Sequence, residues 1–346
     1  MRSTVIIFIT FLLTTVCNNT KREFHYQNPI HKGLIVGIRD AQIFQDNDGK
    51  YYLIGTSYPF WPQEGKNPGV RIYSSDSITG WKYEKLLIDR ESIDTCSWYL
   101  DRFWAPEIHK IKGKYYLLFN SLNESSICSP NRQLHGFVAV ADHILGDYHI
   151  LTMNRSLMEG NDLTFFLDDD GKVYAYNNGR KKIQVSEIDI EKMEKKMNPL
   201  ICLTPGDSAR SDWDYIGIEG TYVIKNENLY YMFYSSWSRG YEIGYATAQS
   251  PLGPWKKFEG NPVYGAQNEN ACKRYGLKYT ANQNNPWHSV GHNQVFKGPD
   301  GKWWISCHGI LKGENQKPGL VIDPFEIING EIIIKGPTFD EQVIVY

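Results

Sequence analysis

The sequence predicts an all-β fold: a five-bladed β-propeller with four antiparallel strands per blade and a functional site at one mouth of its central channel. Three features support it. A turn followed by an aromatic-rich strand recurs five times along 346 residues. Amphipathic helical periodicity is nearly absent. Aromatic residues make up 14% of the chain, with ten Trp, a composition suited to pleated, half-buried strands.

The chain begins with Arg2 and an apolar run from Val5 to Val16 interrupted only by threonines. That run is too short to span a bilayer comfortably and suits the core of an export signal over residues 1–17. Cys17 ends it, as the acylated cysteine of a bacterial lipoprotein signal would, although Val16 stands where a small residue is usual. The expectation is an exported protein, periplasmic or tethered to the outer membrane through Cys17. Residues 18–34 read as a polar linker, and 35–346 as one propeller domain. A net charge of −2 with no basic cluster removes the electrostatic basis for nucleic-acid binding. Beyond Cys17 there are Cys96, Cys128, Cys202, Cys272 and Cys307, with no CxxC pair to suggest a zinc knuckle. The odd number leaves at least one thiol free unless it pairs between chains. Cys96 and Cys128 are a possible bridge that spacing alone does not establish.

The five copies are DGKYYLIGT from Asp48, KGKYYLLFN from Lys112, DGKVYAYNN from Asp170, NENLYYMFYSS from Asn226 and DGKWWISCHG from Asp300. Each reads as a hairpin, with an Asp-Gly or similar turn and then alternating bulky residues. Counted from Tyr51, Tyr115, Val173, Tyr230 and Trp303, they lie 57 to 73 residues apart, room for four short strands each. A propeller protects its sheet edges by radial repetition and needs one such hairpin per blade, which favours it over a sandwich with long loops. The units fall near residues 36–92, 102–156, 158–206, 214–262 and 288–340. Ile188 to Met197, with its charge-rich IEKMEKKM, reads as an exposed insertion. Asn261 to Trp287, rich in Asn, Tyr and Gly, reads as a long loop over one face.

Eleven residues before each counted position stand Asp40, Trp104, Asp162, Glu219 and His292. The first strand of a propeller blade is innermost, so this offset predicts that all five ring one mouth of the channel. Charges converging on a channel are costly to desolvate and tend to be kept for function. Several carboxylates around a small polar cavity suit glycoside hydrolysis. One is protonated to assist the leaving oxygen, another is ionised to activate water or attack carbon, and a third tunes the acid by repulsion.

At these residues the chain resembles glycoside hydrolase family 43, from about Gly37 to Gln342. The segments that carry the resemblance are RDAQIFQDNDGKYYLIGTS, FWAPEIHKIKGKYYLLFN, NDLTFFLDDDGKVYAYN, IEGTYVIKNENLYYMFYSSWS, YEIGYATAQSPLGPWKK, GHNQVFKGPDGKWW and VIDPFEIINGEIIIKGPT. Ala41 replaces the proline more usual after the first Asp. The resemblance implies single displacement with inversion: Asp40 as general base, Glu219 as general acid and Asp162 as the group that raises the acid's pKa. Inversion requires base and acid to lie roughly 6.5–9.5 Å apart. Trp104 is implied as a wall of the sugar pocket, with Phe103, Glu107 and His308 also expected at the substrate. No cofactor is implied as a requirement. His292 is the candidate axial residue beside a calcium ion held mostly through water, since calcium prefers oxygen ligands.

The expected substrate is an arabinose- or xylose-containing oligo- or polysaccharide. An exo-α-L-arabinofuranosidase is preferred, on the expectation that Asn261 to Trp287 closes one side of the pocket. A β-xylosidase, an endo-arabinanase, a galactan-acting enzyme and a non-catalytic carbohydrate-binding propeller are the alternatives. A retaining fructoside hydrolase is disfavoured because Gly220, not Cys, follows Glu219.

Overall fold

The computed structural model describes residues 22–129, 133–210, 212–313 and 317–346. Five antiparallel sheets follow one another along the chain, each built outward in sequence order. Blade 1 spans Ile38–Asp89, blade 2 Asp101–Ile150, blade 3 Asn161–Leu203, blade 4 Glu219–Gln267 and blade 5 Trp287–Ile334. The innermost strands are Ile38–Gln45, Asp101–Ile111, Asn161–Leu167, Glu219–Asn226 and Trp287–Lys297. The expected signal at residues 1–17 and its Cys17 lie outside the described residues. Among those described, no helix is long and apolar enough to cross a membrane.

Three of the five recurring turns, those of blades 1, 3 and 5, have a common cause. Asp48, Asp170 and Asp300 each accept, through a side-chain oxygen, the backbone N–H two residues later, at 2.9, 3.0 and 3.1 Å. The glycines between, Gly49, Gly171 and Gly301, take φ of 82°, 82° and 73°, which glycine adopts without a Cβ penalty. Alternation then packs the apolar faces of adjacent blades together. Phe119 and Phe137 stack at 4.1 Å in the interface of blades 1 and 2, and Tyr231, Phe233, Val295 and Phe325 share that of blades 4 and 5.

Three expectations are corrected. The supposed linker over 18–34 contains a strand, Glu23–Tyr26, paired antiparallel with Gln342–Val345, and Phe24, Tyr26, Asn28 and Ile30 are buried. Its apolar side chains find a ready partner in Trp304, so the segment latches onto blade 5. Ile188 to Met197 is not an exposed insertion: Ile188, Ile190 and Met193 are buried, and Glu194–Lys195 forms part of blade 3's outer edge. Only its charged residues face solvent. In Asn261 to Trp287, Tyr264–Gln267 continues blade 4's outer edge, and Glu269–Arg274 forms a short helix capped by Asn268. Cys96 and Cys128 form a disulfide, while Cys202, Cys272 and Cys307 are free.

Candidate active site

Each innermost strand carries a break in register near its start. In blade 1 the pairing jumps between Arg39 and Gln42; in blades 2 to 5 it jumps after Trp104, Asn161, Glu219 and Gly291. One residue at each break takes a left-handed backbone: Asp40 at φ 51°, Ala105 at 45°, Asp162 at 54°, Gly220 at 62° and His292 at 56°. β-Bulges of this kind re-aim side chains and are common beside active sites. They turn the start of every innermost strand toward one mouth of the channel.

The bulges correct the eleven-residue offset. Asp40, Asp162 and His292 do share one structural position, but its occupants in blades 2 and 4 are Ala105 and Gly220. Trp104 and Glu219 stand one residue earlier, level with Arg39, Asn161 and Gly291. The reason lies in the turns. Ile111 and Lys114 pair directly in blade 2, as do Asn226 and Leu229 in blade 4, so each hairpin there is one residue shorter. Both levels line one cavity of about 110 Å3, formed by Arg39, Asp40, Thr56, Phe60, Trp61, Trp104, Ala105, Asn161, Asp162, Glu219, Tyr241 and His292.

A second repeat, missed at the sequence level, supports this ring. Five residues after each counted position stand Thr56, Asn120, Asn178, Ser235 and His308, polar groups buried in otherwise apolar strands. Four of them accept a backbone N–H from the next blade's bulge. Thr56 Oγ1 takes that of Ala105 at 2.8 Å, Asn120 Oδ1 that of Leu163 at 3.4 Å, Ser235 Oγ that of His292 at 3.0 Å and His308 Nδ1 that of Asp40 at 3.1 Å. The exception is between blades 3 and 4. There Gly220 N–H donates instead to Asp162 Oδ2, at 2.9 Å. That substitution draws the Asp162 carboxylate to the start of blade 4, beside Glu219.

The three carboxyl groups sit in different electrostatic settings. Burial raises the pKa of Asp40, but His292, His308, Arg39 and the 2.6 Å hydrogen bond from Thr56 outweigh it and hold the group at about 2. Burial keeps His308 itself well below the usual histidine range, and its Nδ1 is the acceptor for Asp40 N–H. Burial lifts Asp162 to about 7, with Asp40 and Glu107 adding repulsion against the opposing Gly220 N–H. Glu219 is also lifted to about 7, by burial and then by the charge of Asp162. Asp162 accepts from both Gly220 N–H and Asn120 Nδ2, donors that favour its ionised form, so the shared proton belongs on Glu219. Tyr241 donates to Glu219 Oε1 at 2.7 Å and contacts His292 Nδ1 at 3.1 Å, and that nitrogen lies 3.5 Å from Asp40 Oδ1. One cavity therefore holds a carboxylate kept ionised and a carboxyl kept protonated, with His292 and Tyr241 bridging them.

Trp104 lines the cavity as expected, its indole N–H held by Phe60 O at 3.0 Å. The other expected substrate contacts are not there. Phe103 is fully buried against Phe119, because its left-handed backbone turns it into the apolar interface. Glu107 is two residues beyond the bulge, one layer deeper in the channel, where Thr164, His109 and Gln294 surround it at 2.6, 2.7 and 2.6 Å. His308 lies behind Asp40, fully buried. Nor does any residue of Asn261 to Trp287 line the cavity. Its wall is the Phe60–Trp61 segment of blade 1, which Glu64 pins through both backbone N–H groups.

Asp162, Glu219 and His292 bring ligand atoms within 4.8 Å of one another. Two carboxylates and a nitrogen do not match the six to eight oxygens calcium takes. A cation bridging Asp162 and Glu219 would also displace the proton that the site holds there. These residues do not fit a directly bound calcium.

The comparisons with known proteins agree with this architecture. The family model of glycosyl hydrolases family 43 matches residues 26–332. A xylosidase/arabinosidase of Butyrivibrio fibrisolvens is 26% identical over 80% of this chain, which spans about half the length of that relative. An extracellular exo-α-(1→5)-L-arabinofuranosidase of Cellvibrio japonicus is 24% identical over 83% of both chains. The crystal structure of a thermostable family-43 glycoside hydrolase superposes with a TM-score of 0.71 at 27% identity, covering 92% of this chain and 98% of its own. An endo-arabinase from Bacteroides thetaiotaomicron, 20% identical over 87% of this chain and 99% of its own with a TM-score of 0.64, shares the fold. With five blades, bulged inner strands and three converging carboxyl groups, this chain belongs to glycosyl hydrolase family 43.

Proposed function

We propose that this protein is an inverting exo-α-L-arabinofuranosidase acting on arabinose-containing plant polysaccharide. What carries the proposal is that one cavity of about 110 Å3 holds both Asp40, whose pKa its neighbours keep at about 2, and Glu219, which burial and Asp162 raise to about 7. That volume lies well below the several hundred Å3 of sites that enclose larger ligands, and it suits one terminal sugar ring rather than a chain segment. Asp40 takes a proton from water as the water attacks the anomeric carbon. Glu219 gives its proton to the departing glycosidic oxygen. Asp162 keeps that proton on Glu219 between turnovers by its charge. The relatives named for exo-arabinofuranosidase and xylosidase/arabinosidase activity support this choice of sugar.

β-Xylosidase activity is the second reading, favoured by the dual name of the Butyrivibrio relative. Assays on aryl α-L-arabinofuranoside, β-D-xyloside and β-D-galactoside separate the two, and NMR of the anomer first released tests inversion. Absence of turnover on all three would sink the proposal. We further propose export with tethering through Cys17; the disulfide supports an oxidising compartment. Metabolic labelling with a fatty acid, lost in Cys17→Ala, checks the tether.

A further inference from the structure

Below the catalytic ring, the innermost strands share one further equivalent position. Each strand resumes pairing two residues past its left-handed residue, at Gln42, Glu107, Thr164, Tyr222 and Gln294. Side chains from all five blades are joined there. Gln42 holds the Ile108 backbone through both of its amide groups, at 3.1 and 2.6 Å, and also bonds the Tyr222 side chain. Glu107 takes the remaining two: Gln294 Nε2 donates to its Oε1 and Thr164 Oγ1 to its Oε2, each at 2.6 Å. Gln42, Glu107, Thr164 and Gln294 are all buried.

A carboxylate is a costly choice for this layer. Among the described residues no lysine or arginine pairs with Glu107, and its ion-pair partner is His109, at 2.7 Å. Well-packed apolar side chains fill such a position at lower cost. What the carboxylate adds is two strong, directed hydrogen bonds from one group, which join blade 2 to blades 3 and 5. Both donors lead to Glu219. Thr164 stands two residues after Asp162 on one strand, and Asp162 Oδ2 takes the Gly220 N–H beside Glu219. Gln294 stands two residues after His292, whose Nδ1 meets the Tyr241 hydroxyl that donates to Glu219 Oε1.

We propose that Glu107 is a positioning residue for the general acid: it clamps the strands carrying Asp162 and His292 so that both meet Glu219 correctly. It touches no substrate and acts only through the placement of those two residues. The proposal rests on the glycosidase reading with Glu219 as acid. Accurate placement of the acid matters most when the departing oxygen is a poor leaving group, because a good one departs without being protonated.

The test compares phenyl and dinitrophenyl glycosides of the sugar that the wild-type protein cleaves. In Glu107→Gln, which keeps the volume but turns one acceptor oxygen into a donor, the phenyl-to-dinitrophenyl ratio of kcat falls about tenfold, with KM changed little. Thr164→Val removes one of the two clamping bonds and lowers the ratio by about threefold. Thr164→Ser, which retains the hydroxyl, restores it. A merely structural role lowers both substrates together, because the folded fraction cancels from the ratio. An unchanged ratio in Glu107→Gln, or in Thr164→Val if the first variant does not fold, overturns the clamp while leaving the catalytic reading intact. Wild-type protein inactive on every aryl glycoside overturns both.

Discussion

Three carboxyl groups in one ring behave differently because their neighbours differ, and pH profiles are the direct probe of that difference. Glu219 must carry a proton to act as acid, so kcat/KM falls as pH rises through about 7. The low pKa of Asp40 keeps the base ionised well into the acid range. Replacing Asp162 by Asn removes the repulsion that holds the proton on Glu219 and moves the alkaline limb down by about one pH unit. Tyr241→Phe does the reverse, since the lost hydrogen bond stabilised ionised Glu219, and its limb moves up. Opposite shifts from two neighbours of one group are a pattern that general destabilisation does not produce. Glu219→Gln lowers kcat by about 10²–10⁴ on substrates with poor leaving groups. Tyr241 itself had no sequence signal: it stands on the third strand of blade 4, outside both repeats.

At the scale of the element, the bulge is the unit that makes the site. Ala105 shows that a Cβ is tolerated at its left-handed position when space allows. Gly220 differs, because a Cβ there meets the His292 ring at 3.3 Å. Gly220→Ala therefore costs about 1 kcal/mol in backbone terms, measured by urea unfolding, while activity falls further because His292 and the Gly220 N–H to Asp162 shift together. The hairpin repeat was legible because Asp-Gly turns and period-two apolar patterns are local. The bulge was only half legible. Counting from the hairpins placed Asp40, Asp162 and His292 correctly but put Trp104 and Glu219 on the same level, since a turn shortened by one residue cancels a one-residue step along the inner strand. The buried polar set Thr56, Asn120, Asn178, Ser235 and His308 was equally periodic and went unread, because Thr, Asn, Ser and His share hydrogen-bonding capacity rather than charge.

For the whole molecule, ring closure depends on the segment before blade 1. Asn28 pairs with Ile322 through both its amide groups, donating to the carbonyl at 2.8 Å and accepting the N–H at 3.0 Å, as a strand would. Tyr26 donates to buried Asp323 at 2.9 Å, which also accepts from Tyr264 and Thr338. Tyr26→Phe costs about 1–2 kcal/mol, since a buried charged acceptor loses one donor. Removing residues 22–30 costs more, because the apolar faces of Phe24, Tyr26 and Ile30 leave blade 5 uncovered; thermal unfolding of the truncated chain checks the order of these effects.

The amino-acid sequence by itself determined the five-fold repeat and the all-β class, and it singled out the three carboxyl residues, because each is read from a pattern local to one hairpin and the strand before it. Tertiary structure alone decided which residues share a level and which backbone N–H each one meets. It also decided that Phe103, Glu107 and His308 face away from the cavity and that the N-terminal stretch is a latch. The physical reason is common to all of these. A side chain's direction in a bulged strand, and the partner waiting for it across a blade interface, are set by register between distant segments, and a one-residue change in a turn alters that register without altering any local pattern.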